Sequence, residues 1–281
     1  MIAYRAMQKS GAPEGDYTIT VVYGNQHYIQ NGSCAQMFAN NATFNDDVII
    51  GNNVNTCYEM FFNCSNFNRN IQIPDTVDNC LSMFQGCSNL NQNIKLPNNI
   101  KYIGQTFFNC SNLNQNIRLP ESVVTMSAAF QGCSKLNQNI KIPQGVTDIT
   151  FAFSGTNVNQ NIVIPNTVTS LYQTFASSAM NCDITIPESV LYCTYTLVRT
   201  DFSRNIYFKG NAYRELHTDS LFQQANTAKR KNLFFNIALN NRFNNTVSGW
   251  TLVYHNITWQ SMTNGYYNSE YNIYCYTNYP G

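Results

Sequence analysis

Apolar and polar positions along the chain follow one long-range pattern rather than a succession of unrelated elements. A short apolar-polar-apolar unit recurs as NIQIP, NIKLP, NIRLP, NIKIP, NIVIP and DITIP, with its first Ile at 71, 94, 117, 140, 162 and 184. DVIIG, around Val48, precedes the series and NIYFK, around Ile206, follows it, which makes eight copies. Two more columns keep step. One is Phe38, Phe61, Phe84, Phe107, Phe130, Phe153 and Phe175, replaced at the end by Leu197; the other is Val54, Val77, Ile100, Val123, Val146, Val168 and Val190. The step is 23 residues and shortens to 22 in the later copies. A period of this length marks stacked repeats, in which no unit closes a core alone and neighbours bury one together.

Within one copy, Ile94-Lys95-Leu96 predicts a very short parallel strand, and Pro97 ends it because proline has no N–H for a ladder. Ile100, Ile103 and Phe107 then follow at spacings of three and four, which predicts one or two helical turns facing inward. Before the repeats, DYTITVVYG alternates like a strand able to pair with the first coil and cover its edge, so residues 1–33 read as a β cap. After 209 the period fails. HTDSLFQQANTAKRK predicts a short helix, and KNLFFNIAL, GWTLVYHNITWQSM and YYNSEYNIYCYTNY predict strands, with Asn264-Gly265 as a turn. The expected architecture is therefore a repeat solenoid of short parallel strands and helical turns over 34–209, the N-terminal cap, and a small β-rich docking or oligomerisation domain over 210–281.

The combined motif LPxxIxxIxxxFxxCSxLxxxIxLP, with Pro, Phe, Cys-Ser and the Ile-x-Ile strand recurring together, resembles the leucine-rich repeat of the BspA type. The resemblance covers roughly 34–209. Gly51 and Lys209 stand where outer copies should carry Pro, and Thr156 and Ser178 replace Cys. Such repeats occur in bacterial surface proteins and in phage and prophage structural proteins.

Composition removes several classes of function. Sixteen basic residues face 15 acidic ones, and only 11% of the chain is charged, so no nucleic-acid partner is expected. No run approaches eighteen apolar residues, and the N-terminal stretch, with Arg5 and no long apolar segment, lacks a secretory pattern; neither membrane insertion nor secretion is expected. Asparagine is the outlier, at 43 of 281 residues, which predicts turns and surfaces built from neutral amides. Cys64, Cys87, Cys110 and Cys133 repeat with the period and read as packed, reduced thiols. The three histidines, at 27, 217 and 255, offer no metal or cofactor site and no nucleophile partner. Glu121, Asp148 and Glu188 fall in separate coils without a recurring partner, so no enzyme is expected.

Alternation on the strand turns two columns outward. Asn70, Asn93, Asn116, Asn139, Asn161, Asp183 and Asn205 are expected to form an amide ladder. Gln72, Lys95, Arg118 and Lys141 lie beside them, with three cations in adjacent coils, a candidate site for anionic groups of a bacterial wall polymer. Gln72, Lys95, Arg118, Lys141, Asn93, Asn116 and Asn139 are the candidate ligand-binding residues. With the resemblance, these features imply a non-enzymatic structural and binding component of a phage virion, in tail, baseplate or surface. It would be assembled in the host cytoplasm as a homo-oligomer with other virion subunits, and would contact a cell-surface glycan or protein. A bacterial surface adhesin fragment and a protein-binding scaffold are the alternatives.

Overall fold

In the computed structural model, residues 18–180, 182–202 and 206–209 are described, together with five further strands, Ala3–Met7, Leu233–Asn236, Gln260–Met262, Gly265–Asn268 and Ile273–Tyr276. The chain divides into two units, Met1–Leu136 and Asn137–Gly281.

The first unit begins with a four-stranded sheet in the order β1 (Ala3–Met7), β2 (Thr18–Tyr23), β3 (Gln26–Ser33), β4 (Asp47–Thr56). Gly24, at φ 59°, stands in the turn between β2 and β3, where a left-handed residue is needed. The strand read from DYTITVVYG is β2. It reaches the first repeat only through β3, which pairs antiparallel with β2 and parallel with β4.

Beyond β4 the repeats stack as the apolar columns require. Val54, Val77, Ile100 and Val123 are fully buried. The Phe column forms a continuous ring stack, with centroids 5.5 Å apart from Phe38 to Phe61, 5.6 Å to Phe84, 5.7 Å to Phe107 and 5.4 Å to Phe130. The rings are spaced by the repeat itself, so each fills the gap that its neighbour alone would leave. His27 closes one end, with its ring 5.2 Å from Phe38 and its Nε2 3.0 Å from Asp46 Oδ2.

The expected helical turns do not form; among the described residues there is no helix. The spacing of three and four arises instead from consecutive turns whose amides alternate between two kinds of partner. In the Phe107 repeat, Thr106, Phe108 and Cys110 donate N–H to the carbonyls of Ile103, Gln105 and Phe107 in the same repeat. Gln105, Phe107 and Asn109 donate to Ser127, Ala129 and Gln131 of the next. Gln105 and Asn109 sit at φ 54° and 57°, which reverses their peptides and breaks any helical run. The corner therefore behaves as a ladder between repeats while still turning the chain.

The second unit repeats this plan. Val146, Val168 and Val190 are buried, Phe153 stacks on Phe175 at 5.9 Å, and Phe151, Phe153 and Gly155 donate N–H to Tyr172, Thr174 and Ala176. β5 (Ala179–Met180) pairs parallel with β7 (Asp201–Phe202). β6 (Ile184–Ile186) and β8 (Ile206–Phe208) are parallel partners, Ile184 opposite Ile206. β9 (Leu233–Asn236), β10 (Gln260–Met262), β11 (Gly265–Asn268) and β12 (Ile273–Tyr276) extend that sheet in the order β10-β11-β12-β9-β8-β6. The helix read from 217–231 and Asn264 of the expected turn lie outside the described residues.

Candidate binding faces

The strand face has the predicted alternation. Ile71 and Ile73, Ile94 and Leu96, and Ile117 and Leu119 are buried, while Gln72, Lys95 and Arg118 between them are exposed. Gln72 and Lys95 are direct parallel bridge partners. In the second unit Lys141 is exposed between buried Ile140 and Ile142. Lys95 does not act on solvent alone. Asp75 accepts hydrogen bonds at 2.8 Å from both the backbone N–H and the side-chain amide of Asn98, and with the positive charge of Lys95 these hold its carboxyl below the usual range.

Asn93, Asn116 and Asn139 are exposed, but the amide ladder expected along them is not there; it runs along other columns. Asn45 Oδ1 accepts the backbone N–H of Asn68 at 2.9 Å, Asn68 Oδ1 that of Asn91, and Asn91 Oδ1 that of Asn114. In the second unit Asn137 Oδ1 accepts from Asn159 N at 3.1 Å. A second file links the side-chain amides of Asn112, Asn89 and Asn66, and Lys135 Nζ donates to Asn112 Oδ1 at 2.6 Å. These asparagines sit at corners, where a short side chain reaches the next repeat's backbone. Those on the strand face project away from it.

The cysteines are internal. Cys64, Cys87, Cys110 and Cys133 donate S–H to the carbonyls of Phe38, Phe61, Phe84 and Phe107 at 3.0 to 3.1 Å. Burial pushes the Cys64 thiol up to about 11 and Cys80 up to about 12. Cys57 is also raised, first by its hydrogen bond with Cys34 and then by burial. In the second unit Ser178 and, one repeat on, Thr200 keep this chemistry, their hydroxyls donating to the Phe153 and Phe175 carbonyls at 2.7 and 2.8 Å, whereas Thr156 donates to the Phe153 carbonyl of its own repeat.

One concave feature of the first unit was not legible in the repeat. Asp78, Asn79, Leu81, Asn99, Lys101 and Tyr102 line a groove of about 490 Å³. Tyr102 is 56% exposed in a column whose neighbours are Asn79 and Thr125. Two residues on, Gly104 leaves open the place held by Leu81 and Ser127 in adjacent repeats, and a Cβ there would stand 2.9 Å from Leu81 Cδ1. A ring appears where the column is small, beside a missing side chain where the column is filled. In the second unit an aromatic row forms on its own, with Phe151 and Tyr172 at 5.5 Å and Tyr172 and Tyr195 at 6.1 Å, all edge to face.

The family model of the BspA type leucine rich repeat region matches residues 34–137 and 114–214, in six copies. The chain belongs to the BspA-type leucine-rich repeat family. A crystal structure of a leucine-rich repeat protein from Bacteroides ovatus ATCC 8483 is similar to this BspA-type protein at 18% identity and a TM-score of 0.40, over 83% of this chain and 69% of that one. Comparison with curated proteins finds no match. Among the described residues, no group of three His, Cys, Asp or Glu side chains is placed to hold a metal ion, and no helix is long and apolar enough to cross a membrane.

Proposed function

We propose that this BspA-type repeat protein is a non-enzymatic structural and binding component of a bacteriophage virion that contributes to attachment at the host surface. The observation that carries the reading is the state of its thiols. Among the described residues nine buried cysteines form no disulfide, and most lie in columns at the repeat spacing. In an oxidising secretory route, cysteines recurring at this spacing would pair with one another while the chain was still open. A reducing compartment keeps such columns intact, and particle assembly in a host cytoplasm supplies one. Once folded, burial protects the thiols wherever the particle travels.

Binding energy in this reading comes from many modest polar contacts multiplied by copy number. Lys95 and Arg118 in the first unit, with Gln72, Asn93 and Asn116 alongside, and Lys141 with Asn139 in the second unit, supply cationic and amide groups for anionic groups on a cell-surface polymer.

The test has two arms. Fluorescently labelled full-length protein is titrated onto intact cells of several bacterial strains, and antibody against it is used to label purified phage particles and cell surfaces. Saturable, strain-selective binding with label on particles supports the reading. Label on cells alone makes the protein an adhesin, and absence of cell binding makes it architectural.

A further inference from the structure

The groove of the first unit stands apart from its surroundings because its polar groups are uncommitted. Around it, amides and hydroxyls are used between repeats: Asn98 on Asp75, Ser122 on the Asn98 and Ile100 carbonyls, and Thr76 on the Val54 carbonyl. The side chains of Asp78, Asn99, Lys101 and Tyr102 form no hydrogen bond or ring contact with a described residue. Only Asn79 is engaged, with its Oδ1 accepting the Leu81 N–H at 3.0 Å.

We propose that this groove is a monosaccharide subsite for an N-acetylated pyranose of a cell-surface glycan. The proposal rests on the binding function above and names the ligand class for it. The lining meets the sugar part by part. The exposed face of Tyr102 offers a negative π surface to the apolar C–H face of a pyranose. Leu81, leaning over the gap at Gly104, gives an apolar patch for the acetyl methyl. Asn99 and Lys101 can donate to the acetamide carbonyl and ring hydroxyls, and Asp78 can accept from the amide N–H and a hydroxyl. The volume of about 490 Å³ lies within the range of small-ligand clefts, about 300 to 1,000 Å³. The opposite charges of Asp78 and Lys101, both lining the groove, disfavour a strongly anionic or cationic sugar, since either would meet one like charge.

The test is a titration of the full-length protein with N-acetylglucosamine and with glucose, read by saturation-transfer NMR, in parallel with the cell-binding assay on the same preparation. We expect a Kd of about a millimolar for N-acetylglucosamine, contact signals on its acetyl methyl and ring protons, and weaker signals for glucose. Tyr102→Ala should weaken binding by about tenfold or more, while Tyr102→Phe, which keeps the ring, retains it and both variants melt like the parent. Equal binding by Tyr102→Ala, or no signal at tens of millimolar sugar, overturns the subsite. Cell binding without sugar binding removes the subsite and leaves the attachment reading; sugar binding lost in Tyr102→Ala, without cell binding, upholds the subsite and removes host attachment.

Discussion

The side-chain oxygen of Asn109 occupies the space that the absent Cβ of Gly132 leaves open in the next repeat, and Asn63 stands in the same relation to Gly86. All four residues hold left-handed backbones, with φ 57° and 74° in the first pair and 56° and 76° in the second. Over 63, 86, 109 and 132 Asn and Gly alternate, so each of these two amides fits under a glycine; Asn40 lies instead under Asn63, whose Nδ2 donates to Asn40 Oδ1 at 3.1 Å.

Gly132→Ala should therefore destabilise the protein by about 2 to 4 kcal/mol, combining the left-handed cost of a Cβ with overpacking against Asn109. Urea denaturation gives the value. Adding Asn109→Gly should recover on the order of 1 kcal/mol, and strict additivity in the double-mutant cycle would refute the contact.

Cys110→Ser should be milder than Cys110→Ala. Serine can still donate to the Phe84 carbonyl, as Ser178 does to Phe153, whereas alanine leaves that carbonyl only the Cys87 N–H and loses one hydrogen bond, at a cost of about 1 kcal/mol. Melting temperatures of the two variants, compared with the parent, decide the order.

Alkaline pH should weaken the fold through the thiols. Burial raises Cys64 to about 11 and Cys80 to about 12 from an ordinary 9.0, so their contribution is complete below pH 9. As pH climbs from there the unfolded chain loses its thiol protons first, and stability falls until the folded values are passed. Urea midpoints between pH 8 and about 11 should decline, and less steeply in Cys64→Ser.

Phe107→Ala should cost about 3 to 5 kcal/mol, because the ring is wholly buried between Phe84 and Phe130 and its loss opens a cavity within a stack. Denaturant titration with an unchanged m-value would locate the loss in the folded state.

Replacing Lys95, Arg118 and Lys141 together by Gln should leave melting unchanged and weaken attachment to cells on the order of tenfold, the amplified effect of small losses at each copy. Full attachment by the triple variant would exclude these cations as the contact.

The inward and outward sense of each strand residue was legible because period-two alternation has one solution: Ile71 and Ile73 in, Gln72 out. The corner was misread for the opposite reason. Spacings of three and four suit a helix, but also suit successive turns with left-handed residues at Gln105 and Asn109, and apolar spacing carries no sign of φ. The Asn and Gly mixture at 63, 86, 109 and 132 held that information. The amide ladder was expected on the wrong column because repetition alone does not say whether a side chain points along the stack or away from it. Tyr102 and Gly104 were not legible because periodicity carries only what recurs, and these two residues depart from their columns; departure is where a local cleft can open.

The amide column through Asn45, Asn68, Asn91 and Asn114 that joins one repeat to the next carries no net charge. Counterions have nothing in it to screen, whereas Lys95 and Arg118 on the strand face are fully subject to a Debye length of about 8 Å at physiological salt. Ionic strength should thus loosen the protein's grip on a charged surface while its scaffold stays as rigid in brine as in dilute buffer.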